Sequence, residues 1–281
     1  MAVVLDGKEV ARKIRQNLKE EVSKLKEEGI SPKLAVIMVG DDSASKIYVR
    51  NKSIACNEIG IEYEEYLLNE ETTMDELLSL IDKLNNDKTI NGILLQSPIP
   101  KKLDINEAFK AIDPIKDVDG FNPMNVGKLC LGQDAFISCT PYGVIKILED
   151  YNIEIEGKNA VIIGRSNIVG KPMLQCLLNK NATVTVCHSR TKNLAEITKM
   201  ADILVVAIGK SKFVTKDMVK DGAVVIDVGI NRGEDGKLCG DVDFEEVSKV
   251  AGYITPVPGG VGPMTIAMLM NNIVKAAKLQ N

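Results

Sequence analysis

Short runs built wholly of apolar residues alternate with stretches of helical hydrophobic spacing along most of this chain, and few folds accommodate that rhythm. The first run is KLAVIMV, residues 33–39, followed by a helical stretch over 43–59 that Gly60 closes. Residues 62–68 alternate as a strand does, 74–84 return to helical spacing, and 92–95 form a second apolar strand stopped by SPIP. Helices are also predicted over 7–28 and 106–112, and a loop rich in Asp, Pro, Gly and Asn over 113–138. Thr140-Pro141 has the pattern of an N-cap with proline at the first helical position, opening a helix to Tyr151. Strands then follow at 160–163, 183–186, 203–207 and 224–228, and a last helix spans 263–279. Strands of this kind alternating with helices imply a parallel sheet with helices on its faces.

The predicted fold class is therefore α/β. Two α/β units join near residue 140 with a cleft between them. The first comprises residues 1–140 and takes back the terminal helix, 262–281; the second comprises 141–261. Of the 281 residues 45% are hydrophobic, but Trp is absent and aromatics reach only 4%, so the core has to be aliphatic. A net charge of −4 lacks the basic field of a general nucleic-acid binder. No apolar stretch approaches the ~20 residues of a membrane span, and the N-terminus carries no signal-peptide pattern. Cysteines at 56, 130, 139, 176, 187 and 239 form no C-x-x-C pair, which points to reduced thiols in a cytoplasmic protein and to no metal site. His188 is the single histidine, so a histidine-built metal centre or a Ser-His-Asp triad is excluded. Acid–base chemistry falls to Lys, Tyr, Asp, Glu or water.

In the second half, VIIGRSNIVGKP (Val161 to Pro172) follows a strand and opens a helix, where a dinucleotide would bind with its pyrophosphate on the helix N-terminus. The spacing is Gly164-x5-Gly170, which a tight strand-to-helix turn would also explain. The next strand ends in His188-Ser189-Arg190-Thr191. No carboxylate stands there to bind a ribose 2′-hydroxyl, while hydroxyl and guanidinium donors, with Arg165 nearby, suit a 2′-phosphate. An ordinary solvated turn is the alternative. The loop DVGIN, Asp227 to Asn231, ends the fourth strand of this half; its Ile230 either covers a nicotinamide ring or belongs to the core. His188 is given no catalytic role.

The first half holds one anomaly. On a helical wheel at ~100° per residue, Ala44, Tyr48, Val49, Ala55, Cys56 and Ile59 share an apolar arc, and Lys52 falls in its middle. A lysine there snorkels, pairs, or loses its proton easily. Tyr48 is its i−4 neighbour. Gln96 ends a strand before a proline-stiffened turn, a position for a ligand contact or simply an edge glutamine. Asp119, in KDVDG, either accepts hydrogen bonds from an amidine-like edge such as a pterin's or makes an Asp-Gly turn. PGGVGP, residues 258–263, either lets backbone approach a ligand, forms a hinge, or is a tight connection.

Taken in order, YVRNK (48–52), QSPIP (96–100), KDVDGF (116–121), CTPYG (139–143), GRSNIVGKP (164–172), CHSRT (187–191), DVGIN (227–231) and PGGVGPMT (258–265) resemble the bifunctional methylenetetrahydrofolate dehydrogenase/cyclohydrolase family. Any one motif is weak; eight in register across nearly the whole chain are specific. The resemblance implies a folate-binding domain, a Rossmann-like NADP domain, a homodimer, and two successive reactions of one-carbon folate metabolism on a tetrahydrofolate-type substrate. It places the catalytic lysine at Lys52, its tyrosine partner at Tyr48, the lysine-tuning glutamine at Gln96 and the pterin-binding aspartate at Asp119. The NADP contacts fall on Gly164, Arg165, Ser166, Ser189 and Ile230. Two departures touch loop geometry: Ser138 stands where the family often has proline, and Asn122 where it often has histidine.

Overall fold

A computed structural model describes every residue except Glu234 and Asp235, and of Ala44 the backbone alone, so the wheel position of that side chain lies outside the described residues. Along the chain the elements are β1 (Val3–Val4), α1 (Gly7–Glu27), β2 (Lys33–Val39), α2 (Ser43–Ile59), β3 (Glu62–Leu68), α3 (Met74–Asn86), β4 (Gly92–Leu95), α4 (Ile105–Ala111), α5 (Pro123–Cys130) and α6 (Cys139–Asp150). They continue as β5 (Asn159–Ile163), α7 (Gly170–Leu178), β6 (Thr183–Cys187), α8 (Leu194–Thr198), β7 (Ile203–Val206) and β8 (Val224–Asp227). The last are β9 (Asn231–Arg232), β10 (Leu238–Cys239), α9 (Phe244–Val247), β11 (Tyr253–Ile254) and α10 (Val261–Gln280). The chain divides into two units: Lys13–Ile137 with Ile266–Asn281, and Met1–Arg12 with Ser138–Thr265.

The expected boundaries put residues 1–12 in the first unit. They lie in the second because Val3 and Val4 of β1 pair in parallel with Tyr253 and Ile254 of β11. A two-residue strand has no period to read.

The first unit is built on a parallel sheet ordered β3-β2-β4. From Leu34 onward β2 is buried, as the central strand of a covered parallel sheet must be. At the start of α2, Asp42 accepts the Ser45 N–H, and Gly60, with φ +86°, ends the helix in the left-handed conformation glycine tolerates. A capping box between Thr73 and Glu76 starts α3. Lys116 is buried, and its ammonium donates to the carbonyls of Leu84 and Asp87 at the C-terminal end of α3, where a helix favours a cation. That anchor lays residues 116–118 beside β4, with the Ile93 N–H on the Lys116 carbonyl at 2.8 Å.

Within the stretch 113–138, expected as loop, α5 forms. Asn122 caps it through Met124 N–H, with Pro123 at the first helical position. The terminal helix α10 enters this unit from Ile266, and Asn272 donates to the carbonyls of Val118 and Ile137.

The second unit has an all-parallel sheet ordered β6-β5-β7-β8-β11-β1. Counted from β5, its first five strands run 2-1-3-4-5, a doubly wound order whose reversal falls between β5 and β7. Ligands bind such sheets at the carboxyl ends flanking that reversal. α6 starts at Cys139, so Thr140 is not its N-cap; Thr140 Oγ1 pairs with Thr265 Oγ1 at 3.0 Å instead. Pro141 is tolerated because the first-turn N–H groups have no helical partner in any case. Ser138, at the cap position, donates its hydroxyl to the Ile168 carbonyl at 2.6 Å.

Candidate active site

In the first unit α2 brings Lys52 to the carboxyl end of β4. Lys52 Nζ donates to Gln96 Oε1 at 2.7 Å. Gln96 Nε2 in turn donates to the Ser97 carbonyl at 2.6 Å, which fixes the amide with its oxygen toward the lysine. Gln96 is only 8% exposed and its own N–H extends the ladder to Ile37 at 2.8 Å, so the acceptor is rigid. The buried stripe of α2 is Ser45, Val49, Ala55, Cys56 and Ile59. Lys52 is half-buried at its margin, and Tyr48, one turn earlier, is exposed where the wheel put it inside the apolar arc. One turn further, burial pushes the Cys56 thiol up to about 12, against a smaller opposing pull from the nearby Lys52.

Asp119 is half-buried and follows the segment that Lys116 pins beside β4. Its neighbour Asp117 is a structural carboxylate that the sequence reading missed. Asp117 accepts from the N–H groups of Phe121 and Asn122 and from Asn125 Nδ2, and burial pushes its carboxyl up to about 6. Asn122 also donates to the Ile112 carbonyl at 2.8 Å at the end of α4. This network shapes the loop that carries Asp119.

In the second unit the two motif glycines are sterically required. Gly164 ends β5 with φ +129°, and a Cβ there would lie 2.3 Å from the Ala207 carbonyl. A Cβ on Gly170 would lie 2.3 Å from the Gly164 carbonyl. The N-terminus of α7 is not the open anion site predicted for it. The Gly170 N–H donates to Ser166 Oγ, the Lys171 N–H donates to the Ser166 carbonyl, and Pro172 has no N–H. The unspent donors are one loop earlier: among the described residues, the N–H groups of 165–168 make no hydrogen bond within the chain. Successive free N–H groups of that kind are the donors an anion needs, so this loop, with Arg165 and Ser166, could hold a pyrophosphate.

Beside it, at the end of β6, residues 188–191 form a tight turn. The His188 N–H donates to Thr191 Oγ1, and the Arg190 N–H to His188 Nδ1. His188 is thus a turn-former, and Ser189 and Arg190 are left exposed. Ile230 is 49% exposed and therefore not core. It lines a cavity of about 150 Å³ with Lys8, Gly229, Leu238 and residues 256–263. The glycines of that last loop permit close packing: a Cβ on Gly7 would lie 1.8 Å from the Gly260 carbonyl.

A doubly wound unit with unspent loop N–H groups at its strand ends, in one chain with an α/β unit that presents a paired lysine, is the architecture of a two-domain nucleotide-dependent enzyme. Family models match both parts: the tetrahydrofolate dehydrogenase/cyclohydrolase catalytic domain over residues 5–119, and the NAD(P)-binding domain over residues 138–281. The chain belongs to the tetrahydrofolate dehydrogenase/cyclohydrolase family. The bifunctional protein FolD of Halalkalibacterium halodurans is 59% identical over 277 residues, 99% of each chain. The crystal structure of the bifunctional enzyme FolD (methylenetetrahydrofolate dehydrogenase/cyclohydrolase) from Campylobacter jejuni is 54% identical, with a TM-score of 0.99 over 100% of both chains. That of the Trypanosoma brucei methylenetetrahydrofolate dehydrogenase-cyclohydrolase, complexed with NADP cofactor and inhibitor, is 38% identical with a TM-score of 0.94 over 99% and 98%.

Proposed function

We propose that this chain oxidises 5,10-methylenetetrahydrofolate to 5,10-methenyltetrahydrofolate with NADP and then hydrolyses the product to 10-formyltetrahydrofolate. The observation that carries the reading is the Lys52–Gln96 pair at 2.7 Å, on the end of a rigid strand, in a member of this family. NADP supplies the hydride acceptor when bound. Gly164, Arg165, Ser166 and Ser189 would hold its phosphates and Ile230 would pack on its ring, with Arg165 and Arg190 meeting the 2′-phosphate. Asp119 accepts hydrogen bonds from the pterin edge, and Tyr48 packs beside the reacting carbon.

Oxidation needs no side-chain base, because the folate nitrogen's lone pair forms the methenyl cation as the hydride leaves. Positioning is the protein's contribution there. Hydrolysis does need one. Lys52 takes a proton from water as the oxygen bonds to the methenyl carbon, and a substrate carrying positive charge favours the neutral amine. The bond from that carbon to N5 then breaks, N5 receives a proton from Lys52, and the adduct hydroxyl's proton passes to solvent. Gln96 holds the lysine throughout.

We further place the enzyme in the cytoplasm as a homodimer. Six free thiols support the first; among the described residues no helix is long and apolar enough to cross a membrane. The uncovered edge of β3, with Leu67 66% exposed, supports the second. Spectrophotometry with 5,10-methylenetetrahydrofolate and either NADP or NAD tests the reading. Reduced cofactor forming with NADP, without accumulation of the methenyl compound, is the expected result; no reduction with either would overturn it.

A further inference from the structure

The carboxyl end of the six-stranded sheet holds two carboxyl groups that neither proposed reaction uses. Asp227 ends β8 and Asp241 follows β10, and they are 3% and 0% exposed. Asp241 Oδ2 accepts from the N–H groups of Ile208 and Gly209 at 2.7 and 3.0 Å; its Oδ1 accepts from Lys210 N–H at 2.7 Å and Asn231 Nδ2 at 2.9 Å. Asp227 Oδ1 accepts from the N–H groups of Gly229 and Asp241, and its Oδ2 from that of Val242.

The two loops interlock. A Cβ on Gly229 would lie 2.1 Å from the Asp241 carboxyl carbon, and a Cβ on Gly240 would lie 1.8 Å from Asp227 Oδ2. Each loop therefore supplies one carboxyl group and the one glycine that admits the other's. Three consecutive N–H groups after β7 converge as they would on a bound anion, and the protein fills that concavity with its own Asp241. The same carboxylate reaches Asn231, while Asp227 reaches Gly229. Ile230 stands between two pinned residues and is itself exposed.

We propose that Asp241, backed by Asp227, is the positioning residue for the nicotinamide end of NADP, fixing the loops after β7 and β8 so that Ile230 meets the ring. The inference rests on the NADP reading above. It separates the two ends of the cofactor: the adenosine end would be held by residues 164–166 and 189, and among the hydrogen bonds of Asp227 and Asp241 given above none goes to these residues.

The test is calorimetric titration of wild-type protein, Asp241→Asn and Asn231→Ala with NADP and with 2′,5′-ADP, which carries only the adenosine end. Dehydrogenase and cyclohydrolase rates are measured alongside. In Asp241→Asn, 2′,5′-ADP affinity and hydrolysis of the methenyl compound should stay within about twofold of wild type. NADP affinity should weaken about tenfold and hydride-transfer kcat fall about 100-fold, the scale of a misplaced reacting group. Asn231→Ala, which removes a single donor, should move the same two quantities several-fold, and it carries the test if Asp241→Asn does not fold. Unchanged NADP affinity and hydride transfer in both variants would overturn the proposal, as would equal weakening of 2′,5′-ADP and NADP. Wild-type protein that binds neither ligand would overturn the cofactor reading and the proposal with it.

Discussion

Two lysines show why burial alone does not find a reactive side chain. Lys116 is the more deeply buried, and burial lowers its pKa, yet its ammonium is committed to two carbonyls at a helix end. Lys52 is half-buried and donates to a rigid amide at the carboxyl end of a strand, where α/β sheets gather their ligands. The wheel anomaly marked Lys52, but only its register with Gln96, 44 positions away, separates it from a snorkelling lysine, and no local spacing encodes that register. At the proposed nucleotide loop, the 2′-phosphate assignment rests on Arg165 and Arg190. Replacing both with neutral residues should raise KM for NADP by about 10- to 100-fold, the loss of one or two charge-assisted contacts. KM for NAD should change less than threefold in the same steady-state assay. Equal changes for both cofactors would remove the 2′-phosphate assignment.

Asp227 gives a pH signature. Burial, reinforced by Asp241, pushes its carboxyl up to about 7, against three N–H donors that pull the other way. The folded protein thus keeps a proton between roughly pH 4 and 7 that the unfolded chain has lost, so this group's contribution is full below pH 4 and lost as pH rises through 7. Urea unfolding at pH 4, 5.5 and 7 should show Asp227→Asn gaining on wild type as pH rises, by an amount on the order of a few kcal/mol. Parallel profiles would contradict the assignment.

Among the elements, those with a strong period were readable. β2 and β4 stand where apolar runs put them, because burial on both faces leaves a parallel strand no polar side, and β3, the half-exposed edge strand, and α2 stand where their own periods put them. β1 and β11 are two residues each and carry no such signal. α5 was hidden in a polar stretch, although Asn122-Pro123 is a capping pattern. Its reality rests on tertiary bonds from Asn122 and Asp117 that no period announces. Asn122→Ala should therefore cost about 2–4 kcal/mol, from the lost cap and from buried carbonyls left without a donor. Thermal unfolding and hydrogen exchange over residues 117–130 would register it, and an unchanged melting temperature would show that the network is dispensable. The α7 N-terminus was misread for a related reason: the spacing announced a helix start but not that Ser166 turns back to cap it.

For the whole molecule, α/β architecture followed from the rhythm of periods, and the crossings expected near residues 140 and 262 fall at 137/138 and 265/266, whereas the crossing inside α1, at 12/13, has no signal in the period of that helix. The homodimer proposed above would form through β3, which ends the sheet order of its unit and leaves Leu67 exposed. Leu67→Lys should shift the protein from dimer toward monomer in light scattering, and a dimer of undiminished stability would place the interface elsewhere. Whether one chain runs both reactions, with Lys52 serving the second, is decided by product analysis of Lys52→Met with 5,10-methylenetetrahydrofolate and NADP. NADPH should form within about tenfold of the wild-type rate while the methenyl compound accumulates, with enzymatic hydrolysis lowered by about 10²- to 10⁴-fold, the range for loss of a general base. If 10-formyltetrahydrofolate instead appears at the wild-type rate, Lys52 is not the base and the account fails at its centre.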